Sequence, residues 1–211
     1  SSIATIWKDR VAKHQEYTAR IPFSDFKVFD FICQNVPKNS QLQVSNSSAI
    51  RYLQLFDLDK SIQVFCNRGT SGIDGSTSTA IGAALATNLP TILITGDISF
   101  LYDSNALWNN YIPKNFKIIL LNNSGGGIFR ILPGHQETET FNRYFETSHQ
   151  LNASHLAKMY GFDYFEANDE ATLQQQYKSF LNQNEKPSIL EIFTPEKENN
   201  GILLEFFRGL K

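Results

Sequence analysis

Short apolar runs rich in Ile, Leu and Val alternate along this chain with longer stretches of helical period. Strands of a buried parallel sheet are apolar on both faces, and the connections between them are usually helices. We therefore predict an α/β fold, a three-layer αβα structure with a mainly parallel, doubly wound sheet. The predicted strands are 41–46, 61–67, 91–97, 116–123 and 187–193.

Helices are predicted between these strands from apolar periodicity and capping residues. One begins after a capping Ser24 and stops before Pro37, and another has either Asp103 or Ser104 as its cap. A small-residue segment, 76–87, suits close packing on a sheet. The helix capped at Asp103 or Ser104 covers 103–112, and the remaining predicted helices cover 1–17, 152–160, 169–183 and 195–209.

Composition limits the class of protein. The 211 residues are long enough for one large domain, and a composition of 41% hydrophobic and 19% charged residues is typical of a soluble globule. We therefore treat 1–211 as a single domain, although its abrupt helical start without Met suggests a fragment of a longer protein. The net charge of −2, without a basic block, argues against a nucleic-acid surface and favours a small ligand.

Two cysteines, Cys33 and Cys66, lie in apolar surroundings without metal-ligand spacing. This pattern favours reduced thiols inside a cytoplasmic protein. The sequence also shows neither a signal peptide nor a run near the roughly 18 apolar residues of a membrane span. We therefore expect a cytoplasmic location.

Polar and glycine-rich segments follow four of the predicted strands at their carboxyl ends. In an open α/β sheet, ligands bind beyond these ends, where loops meet the N-termini of helices. We therefore expect a binding site at this edge of the sheet. The four segments are "SNSSAIR" (45–51), "NRGTSGIDGS" (67–76), "GDIS" (96–99) and "NNSGGGIF" (122–129).

Asp97 follows Gly96 at the end of a predicted strand, and the next helix is expected to start near Ile98 and Ser99. Free N–H groups at a helix N-terminus attract an anion, whereas a carboxylate repels one. A divalent cation that bridges Asp97 to a diphosphate resolves this conflict. Asn123, 26 residues later at the end of the next strand, adds an amide oxygen.

The glycine run after that strand extends the same interpretation. Gly125 offers a backbone carbonyl, Gly126 and Gly127 let the main chain approach a cofactor closely, and Ile128 and Phe129 pack its apolar part. Taken singly, these motifs are more typical of a helix cap or a turn. Together, at the ends of successive strands, they favour a metal and phosphate site.

"GDISF" and "NNSGGG" resemble the metal-binding motif of thiamine-diphosphate-dependent enzymes. That motif usually has Gly after the Asp, where this chain has Ile98. The resemblance implies thiamine diphosphate and Mg²⁺, which Mn²⁺ can replace, as cofactors. The implied metal ligands are Asp97, Asn123 and the carbonyl of Gly125, and the residues around the diphosphate are Gly96, Ile98, Ser99 and Gly126.

"SNSSAIR", "NRGTSGIDG" and "NNSGGGIFRILP" resemble more closely the C-terminal cofactor domain of the menaquinone-pathway synthases in this superfamily, from about residue 20 onward. The resemblance implies a transferase that decarboxylates 2-oxoglutarate and adds the resulting succinyl carbanion to isochorismate. It assigns Ile73 as an apolar wedge beneath the cofactor, Ile128 and Phe129 beside the cofactor, and Ser47, Arg51, Arg68 and Leu132 to the substrate side.

The two arginines suit these substrates, because both are dicarboxylates and the planar guanidinium pairs with carboxylates. Each arginine alone is more typical of a surface ion pair. The position of Arg51 and Arg68 on loops that converge on one edge of the sheet favours the anion clamp.

In this superfamily a glutamate from the pyrimidine-binding domain, normally on a partner subunit, activates the cofactor. Nothing in 1–40 resembles that domain. The resemblance therefore implies a C-terminal fragment of a longer multidomain enzyme and assigns no catalytic residue to this chain. We expect it to be inactive alone and to form a homodimer or homotetramer at full length.

Other interpretations remain open. The protein could be another thiamine-diphosphate enzyme, such as a 2-oxoacid decarboxylase or an acetolactate-synthase relative, or a noncatalytic binding domain of the same fold. A nicotinamide oxidoreductase is disfavoured because the GxGxxG fingerprint is missing. We also expect 124–140 to be mobile without ligand, and we interpret the polar segment 134–150 as a solvated loop.

Overall fold

The computed structural model describes residues 2–132 and 134–210. Within them, six parallel strands form one sheet in the order β2-β1-β3-β4-β6-β5. The chain runs outward from β1 to β2 and then crosses back to β3, so the strand order reverses between β1 and β3. The strands are β1 (Gln41–Val44), β2 (Gln63–Cys66), β3 (Thr91–Gly96), β4 (Lys117–Asn122), β5 (Asp163–Ala167) and β6 (Ser188–Phe193).

Helices connect the strands and cover the sheet. The α-helices are α1 (Ile3–Arg20), α2 (Asp25–Asn35), α3 (Ser48–Leu53), α4 (Ser76–Leu85), α5 (Asp97–Tyr102), α6 (Ser154–Tyr160), α7 (Glu170–Asn182) and α8 (Asn199–Gly209). Short 3₁₀ turns occupy Ser104–Trp108 and Gly127–Ile131, and a π-helical turn occupies Phe141–Glu146.

Two apolar cores, one on each face of the sheet, make the structure three-layered. Along β4, Ile119 and Leu121 pack into one core, and Ile118 and Leu120 pack into the other. Because successive side chains of a strand point to opposite faces, a strand buried on both sides must be apolar throughout. The predicted three-layer, doubly wound α/β fold is therefore confirmed.

Four local predictions were wrong. The prediction omitted β5, an edge strand that is only partly buried, and it treated 45–51 as a loop although α3 begins at Ser48. The helix predicted over 103–112 is only a 3₁₀ turn. Asp103 does not cap that turn, because its carboxylate accepts hydrogen bonds from the backbone N–H (2.7 Å) and hydroxyl of Ser78 in the first turn of α4.

The cap predicted at Ser24 is confirmed, since its hydroxyl accepts a hydrogen bond from the backbone N–H of Lys27. Both cysteines are free. Within residues 2–132 and 134–210, no helix combines the length and the apolar character needed to cross a bilayer.

The predicted mobility of 124–140 stays a prediction. Pro133 in that range lies outside the described residues. So do Ser1, at the start of the predicted first helix, and Lys211, the last residue of the predicted single domain.

Candidate functional site

A cleft of about 370 Å³ opens at the carboxyl ends of β1 and β3, where the strand order reverses. Ligands of doubly wound folds bind at this switch point, and the volume suits a small molecule. All residues that the sequence assigned to the cofactor and the metal line this cleft: Ile73, Gly96, Asp97, Ile98, Ser99, Asn123, Gly125, Gly126, Ile128 and Phe129.

Asp97 is the first residue of α5 and is only 4% exposed. Its Oδ1 accepts a hydrogen bond from the backbone N–H of Ile98 (2.7 Å), and its Oδ2 accepts one from the backbone N–H of Gly125 (2.9 Å). The second bond joins the end of β3 to the loop after β4. It therefore places the carboxylate beside the glycine run.

The two asparagines after β4 have different surroundings. The side-chain nitrogen of Asn122 donates to Oε1 of Glu191 (2.7 Å) and to the carbonyl of Leu151 (2.9 Å), so this residue faces the neighbouring strand β6. The side-chain nitrogen of Asn123 donates to Oδ2 of Asp25 (3.0 Å). Because the nitrogen is engaged there, the amide oxygen of Asn123 remains for a ligand.

The glycine run packs closely against the protein. Gly125 has a φ of +153°, and a Cβ at this position would lie 2.7 Å from the carbonyl oxygen of Glu146. The backbone N–H of Gly126 donates to that same oxygen (2.6 Å). The sequence predicts that glycines here let the main chain approach a cofactor closely. The structure shows a second reason for glycine, which is the close packing of this loop against the backbone of Glu146.

A buried ion pair holds this loop in place. The guanidinium of Arg130 pairs in a bidentate manner with Glu146, and their side chains are 2% and 1% exposed. Arg130 also donates to the half-exposed carboxylate of Glu137. The carbonyl of Glu146 accepts the hydrogen bond from Gly126, and Arg130 follows the glycine run in the chain. The ion pair therefore holds the glycine run and the residues after it against Glu146.

Negative charge accumulates in the cleft. Asp25 is 3% exposed, and burial raises the pKa of its carboxyl to about 6, against the opposing hydrogen bonds from Thr194 and Asn123 and with a further contribution from the nearby Asp97. Besides Glu146, which is paired with Arg130, two buried carboxylates, Asp25 and Asp97, thus share one cleft, and a bound cation would offset their charge.

His149 is a neighbour of this site. Its Nε2 lies 3.2 Å from Oδ2 of Asp97, an ion-pair distance rather than an aligned hydrogen bond, and its side chain is 11% exposed. The interaction with Asp97 raises the pKa of the imidazole above its usual value. The interpretation of 134–150 as a solvated loop was therefore wrong for His149 and for the buried Glu146.

The loop that carries Ile73 is held against α5, because the hydroxyl of Ser99 donates to the carbonyl of Ile73. On the same loop, the carbonyl of Ser71 accepts from the side-chain nitrogen of Asn46. Nη1 of Arg68 donates to Oδ1 of that asparagine (2.8 Å). Arg68 therefore reaches the cleft through Asn46, which lines it.

The predicted substrate-side residues are less closely grouped. Ser47 lines the cleft and has a φ of +72°, and Arg51 lines a small pocket beside it that also contains Asp25 and Asn123. Leu132 is 51% exposed and lies in a separate pocket that shares Phe129 with the cleft. The structure thus brings Ser47 into the cleft, Arg51 beside it and Leu132 to its outer side.

Sequence reasoning missed Asp25, Asn46, Glu146 and His149. Asp25 had the strongest available signal, a carboxylate directly after a helix cap, but that pattern is typical of ordinary helix starts. The others have no local motif. Their role follows from contacts between residues that are far apart in sequence.

A metal here would depend on mixed oxygen ligands. In the part of the chain that the structure describes, no group of three or more His, Cys, Asp or Glu side chains could hold a metal ion. The predicted ligands in the cleft are the carboxylate of Asp97, the amide oxygen of Asn123 and the carbonyl of Gly125. Among the described residues, that carbonyl accepts one backbone hydrogen bond, from Gly127 (3.1 Å). Mg²⁺ bound with a phosphate uses such a set, since it keeps few protein ligands.

The family follows from comparison of the sequence with known proteins. Residues 46–192 match the family described as "Thiamine pyrophosphate enzyme, C-terminal TPP binding domain", and the chain belongs to this family. The predicted family is thereby confirmed, and so is the predicted cofactor, thiamine diphosphate with a divalent metal ion.

Curated relatives extend the comparison to particular proteins. The chain is 63% identical over its whole length to a 2-succinyl-5-enolpyruvyl-6-hydroxy-3-cyclohexene-1-carboxylate synthase of Flavobacterium johnsoniae. It is 67% identical over 97% of its length to the protein of that name from Flavobacterium psychrophilum, and 42% identical over 90% to that from Bacteroides fragilis. It spans 38%, 37% and 35% of these three relatives.

Proposed function

We propose that this chain is the cofactor-binding part of a longer 2-succinyl-5-enolpyruvyl-6-hydroxy-3-cyclohexene-1-carboxylate synthase. The reaction would decarboxylate 2-oxoglutarate and add the remaining succinyl unit to isochorismate, in menaquinone biosynthesis. The high identity to relatives of that name supports the proposal. The observation that carries it is the meeting of Asp97, Asn123 and Gly125 in one cleft.

The proposed metal ligands are the carboxylate of Asp97, the amide oxygen of Asn123 and the carbonyl of Gly125. Together they would hold Mg²⁺, or Mn²⁺ in its place, against the diphosphate. The buried negative charge of the cleft supports this role, because the cation would offset the carboxylates and attract the diphosphate.

The chain would also hold and orient the cofactor. Gly96, Ile98, Ser99 and Gly126 line the cleft around the start of α5 and would surround the diphosphate. Thiamine diphosphate, when bound, supplies an electron sink for the pair released as a 2-oxoacid loses carbon dioxide. The apolar side chains that would pack against it are Ile73, Ile128 and Phe129.

The substrates would bind toward the outer side of the cleft. Arg51 and Arg68 would clamp the carboxylates of 2-oxoglutarate and isochorismate, since a guanidinium pairs with a carboxylate through two parallel hydrogen bonds. Ser47 would add a hydroxyl and Leu132 an apolar contact. The position of Arg51 beside Asn123 and the bond of Arg68 to Asn46 support this arrangement.

The catalytic glutamate would come from a pyrimidine-binding domain of a partner subunit, in a homodimer or homotetramer. The isolated chain would then release no carbon dioxide from 2-oxoglutarate, even with cofactor and Mg²⁺. The free cysteines support a cytoplasmic location, where thiols stay reduced.

An assay of the full-length protein tests the proposal. Carbon dioxide release from 2-oxoglutarate and consumption of isochorismate are measured for the wild type, Arg51→Ala and a control, Arg20→Ala, whose side chain forms a surface ion pair with Glu205. We expect Arg51→Ala to lower kcat/KM for the dicarboxylates at least about 10-fold, the equivalent of one charge-assisted hydrogen bond, and Arg20→Ala to leave it unchanged.

Two further measurements on the full-length protein, pyruvate conversion and thiamine-diphosphate binding, separate the alternatives. A 2-oxoacid decarboxylase or an acetolactate-synthase relative would convert pyruvate and would be insensitive to Arg51→Ala. A noncatalytic domain would bind no thiamine diphosphate in the presence of Mg²⁺. Either result would overturn the proposal.

A further inference from the structure

We infer that Asp25 is a positioning residue that orients the amide of Asn123, so that its oxygen rather than its nitrogen faces the metal site. The inference rests on the proposed function, because it needs a cation held by Asp97, Asn123 and Gly125. It adds a residue 98 positions away from Asn123 in sequence.

The carboxylate of Asp25 is fixed from several sides. Its Oδ2 accepts from the side-chain nitrogen of Asn123 (3.0 Å), and its Oδ1 accepts from the hydroxyl of Thr194 (2.6 Å). The backbone N–H of Asp25 donates to Oδ1 of Asn199 (2.8 Å). Asn123 follows β4, Thr194 follows β6 and Asn199 begins α8, so two hydrogen bonds hold the carboxylate and a third holds the backbone of Asp25.

The chemistry of the pair gives the amide one orientation. The two ends of an asparagine amide have nearly the same shape, but one only accepts and the other only donates hydrogen bonds. A carboxylate accepts, so it bonds the nitrogen of Asn123 and repels the oxygen. A flipped amide would place its oxygen against Asp25 and its NH₂ group toward the cation, and both contacts would be repulsive.

The position of Asp25 could instead be explained by the stability of helix α2, and this explanation makes a different prediction. A carboxylate in the first turn of a helix interacts favourably with the N-terminal end of the helix dipole. In that case its loss would lower the stability of α2 without depending on which side chain stands at position 123. The two explanations therefore separate when Asp25 and Asn123 are changed together.

The experiment measures the dissociation constant of Mn²⁺ by EPR of the free ion, in the full-length protein with thiamine diphosphate. We expect Asp25→Ala to weaken Mn²⁺ binding about 10- to 100-fold, as for other residues that orient a metal ligand. In an Asn123→Asp background the same change should cause no loss, since a carboxylate at 123 presents an oxygen in either orientation. Thr194→Val, which removes the other bond to Asp25 but keeps the one to Asn123, should weaken binding much less.

Three results would overturn the inference. They are an unchanged Mn²⁺ constant in Asp25→Ala, an equal loss with Asn123 and with Asn123→Asp, or a loss in Thr194→Val as large as in Asp25→Ala. If Asp25→Ala does not fold, Asp25→Ser replaces it and must show the same dependence on position 123, because a hydroxyl bonds either end of the amide.

The wild type separates this inference from the proposed function. If the wild type binds no Mn²⁺ with the cofactor, the proposed function is overturned as well. If the wild type binds Mn²⁺ and Asp25→Ala binds it equally well, only this inference is overturned.

Discussion

The backbone N–H of Gly125 donates a hydrogen bond to Oδ2 of Asp97 over 2.9 Å, which joins the loop after β4 to the start of α5, directly after the adjacent strand β3. The two proposed metal ligands are therefore held together before any ion binds. A site arranged in this way loses little conformational entropy on binding, which favours affinity.

Removal of the carboxylate at position 97 should abolish the metal site without unfolding the protein. We expect Asp97→Asn to weaken Mn²⁺ binding, measured with thiamine diphosphate in the full-length protein, by at least about 100-fold, because the site has one carboxylate ligand. The thermal midpoint without ligand should fall little, since the change also removes one of two buried neighbouring charges. Asp103→Asn is the control: it weakens the cap of α4 and should leave Mn²⁺ binding intact. Equal losses in the two variants would contradict the assignment.

A side chain at position 125 should disrupt the loop. In Gly125→Ala the Cβ would lie 2.7 Å from the carbonyl oxygen of Glu146, at a φ of +153° that non-glycine residues avoid. We expect a loss of about 1–3 kcal/mol in the free energy of unfolding, measured by urea denaturation. Gly82→Ala is the control, because Gly82 lies in α4 with open space around it, and should be neutral or gain about 0.4–1 kcal/mol. A harmless Gly125→Ala would show that the loop does not need this conformation.

Breaking the buried ion pair should destabilise the same loop. Arg130→Met leaves the carboxylate of Glu146 buried without its partner, and we expect a loss of about 3–5 kcal/mol in the free energy of unfolding. Arg20→Met removes an exposed ion pair with Glu205 and should cost less than about 1 kcal/mol. If a double variant, Arg130→Met with Glu146→Leu, is no more stable than Arg130→Met alone, the cost does not come from an unpaired charge.

Lys117 should make the stability depend on pH in the alkaline range. Its side chain is buried and donates to the carbonyl of Gln183 and to Ser188, and burial lowers its pKa from 10.5 to about 8. Between these two values the unfolded chain binds more protons than the folded protein, so this residue's contribution to stability rises with pH.

The comparison of the wild type with Lys117→Met isolates this contribution. We expect the free energy of unfolding of the wild type to increase relative to that of the variant as the pH rises from about 8 to 10. A difference that stays constant, or that moves in favour of the variant, would contradict the lowered pKa.

The fold was predictable from the sequence because its central strands are buried on both faces and hence apolar throughout, as Ile118 to Leu121 are. The omitted strand β5 lies at the edge of the sheet and is partly buried, so its sequence, DYFEA, lacks such a run. The cap formed by Asp103 was not predictable, because its partner Ser78 is 25 residues away.

In the candidate site, too, some residues were predictable from local sequence and others were not. Asp97, Asn123 and Gly125 lie just after strands that the sequence predicts, and one motif predicts all three as metal ligands. The bonds of Asp25 to Asn123 and of Arg130 to Glu146, and the approach of His149 to Asp97, depend on tertiary contacts and leave no local pattern. Such partners become visible only in three dimensions.

The most direct test of the proposed site is the anomalous diffraction of Mn²⁺ in crystals of the full-length protein grown with thiamine diphosphate. We predict one peak at the diphosphate, within about 2.0–2.4 Å of a carboxylate oxygen of Asp97, the amide oxygen of Asn123 and the carbonyl oxygen of Gly125. A peak bound by other residues, or a cofactor held in the cleft with Asn123 turned away from the ion, would contradict the account.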